Sequence, residues 1–470
     1  MKSLSLFDQM FLEIEKRQQP AHVGCLMLFS VPQSGSLGFE NQLFTNLKKH
    51  TTPLTPYDLK LSMNGIRRCW SHDSEFDMEH HVRHIALPKP GRIRELLAYV
   101  SAEHSNLMHR ERPLWECHLI EGIEGNRFAV YFKIHHAISD GVSAMHYLTR
   151  FLSNDSKQIN QLPPWVTGEN LINPEEQSKQ NEPNEQSFFR ASIMMMKGLP
   201  SMYRHIMGKV SAENNILRSM CGLRAPQTIL NTRITGSRRY VAQSYSLNRF
   251  KAIARYFDCT LNDVILAVCG GALKQYLQSQ CALPNEPLVA FVPASVRSDS
   301  SKGGNQIAMV QASLGTHIED PIQRLLEVKA SITVAKSRLQ QLSKEEFLVY
   351  SAIALTPGVI HLMTGMFAGY LPCNVVISNV PGPKDALYWN GAKLQGLYPM
   401  SQPIDRVALN ITLVSYNGSL EFGITACRRS MPSMQSLLSH IEKSVNELTG
   451  VIKMQPLFES NEMVSQLFSS

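Results

Sequence analysis

The sequence predicts an α/β (α+β) protein of two domains, each a mixed sheet flanked by helices. Three observations carry this. Alternating apolar runs and runs of helical spacing follow one another in both halves of the 470-residue chain. A polar, proline-containing stretch at 155–187 divides the halves into 1–154 and 188–470. The hydrophobic share of 43% supports a sizeable core in each, since a domain takes up ~100 to 200 residues.

In chain order, Phe7, Phe11 and Leu12 mark an opening helix that leads into a buried strand at 22–29. A helix is expected at 93–108. The run 128–134 then alternates, so Val130, Phe132, Ile134 and His136 share one face and Tyr131, Lys133 and His135 the other. Val142, Met145, Leu148 and Leu152 recur at helical spacing, with Asp140 and Gly141 where that helix starts. The dividing stretch holds Pro163, Pro164, Pro174 and Pro183 among Asn, Gln and Glu and reads as a linker.

Beyond it, 260–277 has helical spacing with Thr260 as its cap, and 287–292 is a short apolar run ending at Pro293. Two alternating strands, 407–413 and 420–424, flank Asn417 and Gly418, the favoured pair for a tight hairpin. Met434, Leu437, Leu438, Ile441, Val445 and Leu448 mark a closing amphipathic helix.

Two segments invite a lipid reading. From 347 to 383 there is no Asp, Glu, Lys or Arg, a length that would permit a membrane span. Pro357, Gly358, Gly365, Gly369 and Pro372 interrupt it, which favours a core helix followed by a buried strand at 374–377, or an apolar wall for a long acyl chain. In 188–209, Phe188, Phe189 and Met194 to Met196 alternate with Arg190, Lys197, Arg204 and Lys209. That mixture suits an interfacial helix, but a domain cover whose methionines fill irregular gaps is the favoured reading.

The net charge of +7 is spread along the chain without an arginine-rich block, which argues against nucleic acid and fits a phosphate-bearing substrate or an anionic membrane surface. Nine cysteines, an odd number with no CxxC pair, point to reduced thiols in a cytoplasmic setting. The first residues show no secretion signal.

The chemistry concentrates in HHAISDG at 135–141. A strand that hands His136, on its apolar face, to a strand-to-helix turn is a way to hold a general base in a dry channel. His135, His136 and Asp140 are also metal-ligand types, but the alternation points the two rings apart and no further His or Cys cluster completes a site, so no metal is expected. Asp140 reads as a helix cap, and Trp115 as packing.

HHAISDG resembles the HHxxxDG signature of the acyl-CoA-dependent acyltransferases. LSLFD at 4–8, PLW at 113–115, NDVILA at 262–267, PASVR at 293–297, GNQ at 304–306 and SNVPGP at 378–383 are similar to one branch of it, the bacterial wax ester synthase/acyl-CoA:diacylglycerol acyltransferase family. This resemblance implies a two-domain fold like that of chloramphenicol acetyltransferase, with a channel between the domains. It implies His136 as the base that deprotonates an alcohol attacking a fatty acyl-CoA thioester. The alcohol would be a long-chain fatty alcohol, and also diacylglycerol.

The intermediate oxyanion needs donors worth about 3 to 4 kcal/mol each, for which Asn262, Ser378 and Asn379 are candidates. Asn262 with Asp263 would shape the site. Asp140 would hold the loop through an ion pair with an arginine such as Arg297, Gly141 would give the backbone room, and His135 would support. Because thiolate leaves readily, transfer should be direct, with no nucleophilic cysteine. CoA enters only as a substrate thioester, and neither metal nor prosthetic group is expected. The expected setting is cytoplasmic, peripheral to the inner face of the plasma membrane or on lipid inclusions. The competing readings are a carrier-protein-dependent condensation enzyme of the same fold and a non-enzymatic lipid-surface scaffold.

Overall fold

The computed structural model describes the chain except residues 1, 5, 33–37, 66, 140–144, 146–147, 168–223, 296–306, 341–371 and 468–470. The first half runs β1 (Lys2–Ser3), α1 (Leu6–Ile14), β2 (His22–Ser30), α2 (Phe39–Lys48), β3 (Leu59–Asn64), β4 (Arg67–His72), α3 (Met78–His81), β5 (Val82–Ala86), α4 (Ile93–Glu103), β6 (Trp115–Ile123) and β7 (Arg127–His135). The second runs β8 (Arg238–Ser246), α5 (Leu247–Tyr256), α6 (Leu261–Ser279), β9 (Val289–Ser295), β10 (Ile307–Ser313), α7 (Pro321–Gln340) and β11 (Val375–Val380). It closes with β12 (Tyr388–Trp389), β13 (Ala392–Met400), β14 (Leu409–Tyr416), β15 (Ser419–Cys427) and α8 (Ser436–Leu467).

Two six-stranded mixed sheets result, ordered β12-β13-β2-β7-β6-β5 and β10-β9-β11-β14-β15-β8, beside a small sheet β1-β4-β3. The alternation of β7 does what its pattern requires. Val130, Phe132 and Ile134 enter a core with Trp115, Trp165 and Met27, while Tyr131 on the opposite face meets Leu96 and Val100 of α4. That second face also carries Lys133 and His135, opposite Gly24 and His22 of β2 in the antiparallel register. Strand β11 lies parallel to both β9 and β14, which places it in the interior of the second sheet.

Three features depart from the expected outline. Strands β12 and β13, from the second half of the chain, complete the first sheet by pairing with β2, an exchange that a contiguous division does not contain. The start of the expected linker is core: Trp165 is fully buried, stacks on Trp115 with ring centroids 5.2 Å apart, and donates its indole N–H to the His50 carbonyl at 3.0 Å. Helix α4 stops at Glu103, short of the expected 108.

The second unit follows its signals. Thr260 caps α6, and the Asp263 carboxylate returns a bond to the Thr260 N–H, closing a capping box. Asn417 and Gly418 take φ of 43° and 80°, as a two-residue type I′ hairpin demands. Leu437, Ile441, Val445 and Leu448 of α8 share one core with Val264, Val268 and Leu273 of α6. Among the described residues no single helix is long and apolar enough to cross a membrane. The bent pair α5 and α6 passes that test by composition, but the apolar side chains of α6 from Val264 to Leu277 are the buried core of this unit.

Candidate active site

His135 ends β7, and the backbone around it is pinned from both neighbouring segments. The His135 N–H donates to the Leu114 carbonyl at 3.0 Å and the His136 N–H to the Ala21 carbonyl at 2.9 Å. The His135 carbonyl then accepts from the Ile138 N–H at 2.9 Å, which turns the chain out of the strand.

The two rings have different surroundings. His135 is buried, and its Nδ1 accepts the Ala137 N–H at 3.0 Å, so in the neutral imidazole the proton resides on Nε2. Nε2 faces Glu15 Oε1 at 3.3 Å, near enough for charge attraction though too oblique for a well-aligned hydrogen bond. Glu15 is itself anchored: Oε1 accepts the Ala21 N–H at 3.1 Å, and Oε2 accepts from Arg110 at 2.9 and 3.2 Å. Burial pushes the Glu15 carboxyl up, but the approach of His135, the Ala21 N–H and Arg110 together hold it below its ordinary value.

His136 is half-buried and lies flat against Phe11, with ring centroids 4.6 Å apart and 9° between the planes. Phe11 is on α1 and Glu15 directly follows that helix, so one short segment touches both histidines. Leu12 of α1 packs with Trp70, Leu114 and Ala137, which seats the helix against the turn. Glu15 and Arg110 escaped the sequence reading, in which Phe11 only marks the opening helix. Their only trace is the four-residue spacing of Phe11 and Glu15, which puts two residues on one helical face without saying what they meet.

The face of β7 that holds His135 carries a second buried polar group. Lys133 Nζ lies 3.1 Å from Glu116 Oε2, which also stands 3.3 Å from His118 Nε2. Glu103, Glu116 and His118 bring ligand atoms within 4.8 Å of one another, but the Lys133 ammonium already supplies the positive charge that Glu116 needs.

Of the other expected site residues, Asn262 and Asp263 stand at the start of α6, where the Asp263 carboxylate is engaged in the capping box. Ser378 and Asn379 are half-buried on β11, in register with Thr412 and Leu413 of β14. Asp140, Gly141 and Arg297 lie outside the described residues, as do the basic segment 188–209 and most of the charge-free stretch. Trp115 is wholly buried, donates its indole N–H to the Tyr57 carbonyl at 2.8 Å and stacks on His81, which is packing. All eight described cysteines are free thiols. Burial pushes Cys117, Cys269 and Cys373 up to about 12; Cys427, despite burial, is held at about 7 by bonds from Ser430 and Thr235 but is closed to solvent.

Comparison with known proteins adds the family. Residues 4–265 match the wax ester synthase/diacylglycerol acyltransferase catalytic domain and residues 303–449 the WS/DGAT C-terminal domain. The chain is 44% identical to the O-acyltransferase WSD of Acinetobacter baylyi, over 97% of this chain and 98% of that one. A solved wax ester synthase/diacylglycerol acyltransferase from Marinobacter aquaeolei VT8 superposes with a TM-score of 0.78 at 42% identity, covering 95% of this chain and 98% of the other. The first condensation domain of the calcium-dependent antibiotic synthetase shares the fold alone, at 13% identity and a TM-score of 0.56 over 95% and 96% of the two chains. With two family models spanning most of its length and a relative this similar from end to end, the chain belongs to the wax ester synthase/diacylglycerol acyltransferase family.

Proposed function

We propose that the protein moves a fatty acyl group from acyl-CoA to a long-chain alcohol, and to diacylglycerol, with His136 as general base. One observation carries the choice of base. His135 is fully buried, with Nδ1 taken by the Ala137 N–H and Nε2 facing Glu15, whereas His136, stacked on Phe11, is the half-buried and more accessible of the two rings.

An alcohol hydroxyl is a weak nucleophile at neutral pH, and an imidazole with a reference pKa near ~6.5 can take its proton as the oxygen attacks the thioester carbonyl. Collapse of the tetrahedral intermediate forms the ester and expels the CoA thiolate, to which His136 returns the proton. Asn262, Ser378 and Asn379 are the proposed sources of oxyanion stabilisation. Asp140, Gly141 and Arg297 keep their proposed roles in holding the turn. No metal or prosthetic group enters this scheme.

The acceptors are amphiphiles, so we place the working enzyme at a lipid surface on the cytoplasmic side. Sedimentation with anionic liposomes at low salt should carry the protein into the pellet; a protein wholly in the supernatant contradicts that placement. Supplying acyl-CoA with a panel of fatty alcohols and diacylglycerol, without any carrier protein, should give CoA release matched by ester. Ester formation only when the acyl group rides a carrier protein would instead favour a condensation-type enzyme.

A further inference from the structure

We propose that α1 and the residue after it are the positioning device of the active site, Glu15 by fixing the tautomer of His135 and Phe11 by fixing the ring plane of His136. This rests on His136 being the base. The Ala137 N–H belongs to the peptide that immediately follows His136, and it donates to His135 Nδ1 at 3.0 Å. That bond exists only while Nδ1 keeps a free lone pair, hence only while the proton of His135 sits on Nε2. With the proton on Nδ1, or with both nitrogens protonated, two N–H groups would point at each other and the turn carrying His136 would open.

Glu15 supplies the bias. Its Oε1 faces Nε2 at 3.3 Å within a buried setting, where a carboxylate attracts an N–H strongly and repels a bare lone pair. Arg110, on Oε2 at 2.9 Å, neutralises that carboxylate, so Glu15 acts as an acceptor without requiring His135 to become an imidazolium. Arg110 also donates to the Leu12 carbonyl at 2.6 Å, which ties the same guanidinium to the helix.

Phe11 completes the device from the other side. A stack with only 9° between the planes restricts the tilt of His136 while leaving the ring nitrogens at its edge. Ala137 packs in the same small core as Leu12, which joins the helix to the turn. Base alignment is the quantity at stake, because a displacement of about 1 Å can cost on the order of a hundredfold in rate.

The test compares Glu15→Ala, Glu15→Gln and Phe11→Leu in the full chain, reading kcat and KM for CoA release from hexadecanoyl-CoA with hexadecanol, and the His135 tautomer by imidazole-nitrogen NMR. Glu15→Ala should lower kcat on the order of tenfold to a hundredfold with both KM values close to wild type, and Nδ1 of His135 should become partly protonated. Glu15→Gln, which keeps an oxygen facing Nε2, should lose less. Phe11→Leu should lower kcat with the tautomer unchanged. If Glu15→Ala fails to fold, the graded loss and the tautomer in Glu15→Gln carry the same test.

Wild-type kcat in the folded Glu15 variants, or a kcat loss with an unaltered tautomer, would overturn the proposal. His136→Ala separates the two levels: full turnover there removes the base assignment itself. An inactive His136→Ala beside a fully active Glu15→Ala removes only the positioning role.

Discussion

Lys133 and Glu116 face each other across the β6–β7 pair with 3.1 Å between Nζ and Oε2, their side chains only 1% and 7% exposed. This ion pair shares a sheet face with His135. Removing one partner strands the other charge away from water, so Lys133→Met or Glu116→Leu alone should cost about 3 to 5 kcal/mol. Replacing both with apolar residues should recover most of that loss. Denaturant unfolding of the two single variants and the double variant measures it.

The same pair predicts an acid dependence. Burial pushes the Glu116 carboxyl up, but the His118 hydrogen bond and the Lys133 charge prevail and hold it at about 2, against an ordinary 4.5. A depressed folded value means the unfolded chain binds the proton first as pH falls. The contribution is therefore complete above about 4.5 and is lost as pH falls through about 2. The wild-type stability should accordingly fall faster than that of the double variant across this window, and parallel curves would refute the assignment.

Trp165 tests whether the start of the dividing stretch is structural. Its fully buried ring and its bond to the His50 carbonyl place it in the first core, so Trp165→Ala should cost about 3 to 5 kcal/mol, read as a lowered denaturation midpoint. A free linker would show no change.

Gly423 tests the contact between the two units. A Cβ there would overlap the Pro399 carbonyl of β13, so β15 can approach the crossover strand only through glycine. Gly423→Ala should destabilise by about 1 to 3 kcal/mol. An unchanged melting temperature would mean that the units do not meet as closely as this.

Local signals were legible in the sequence where the physics is local. The alternation of β7, the Thr260 cap and the Asn417-Gly418 turn each depend on residues within a few positions, and each formed as its pattern requires. What escaped depends on distant partners. The return of β13 to the first sheet is set by pairing with β2, far away in the chain. Trp165 looked like linker because it lies in a stretch that is polar and proline-containing as a whole, although its own ring finds Trp115. Glu15 carries no distinguishing signal in the sequence, and only the fold brings it to His135 and Arg110.

The central claim is that His136, and not His135, takes the proton from the alcohol. It is tested most directly by CoA release from hexadecanoyl-CoA and hexadecanol in His136→Ala and His135→Ala, each shown to be folded. His136→Ala should lose roughly 10² to 10⁴ in kcat. His135→Ala should lose less, through disorder of the turn alone. Full turnover by His136→Ala together with its loss in His135→Ala would contradict the account.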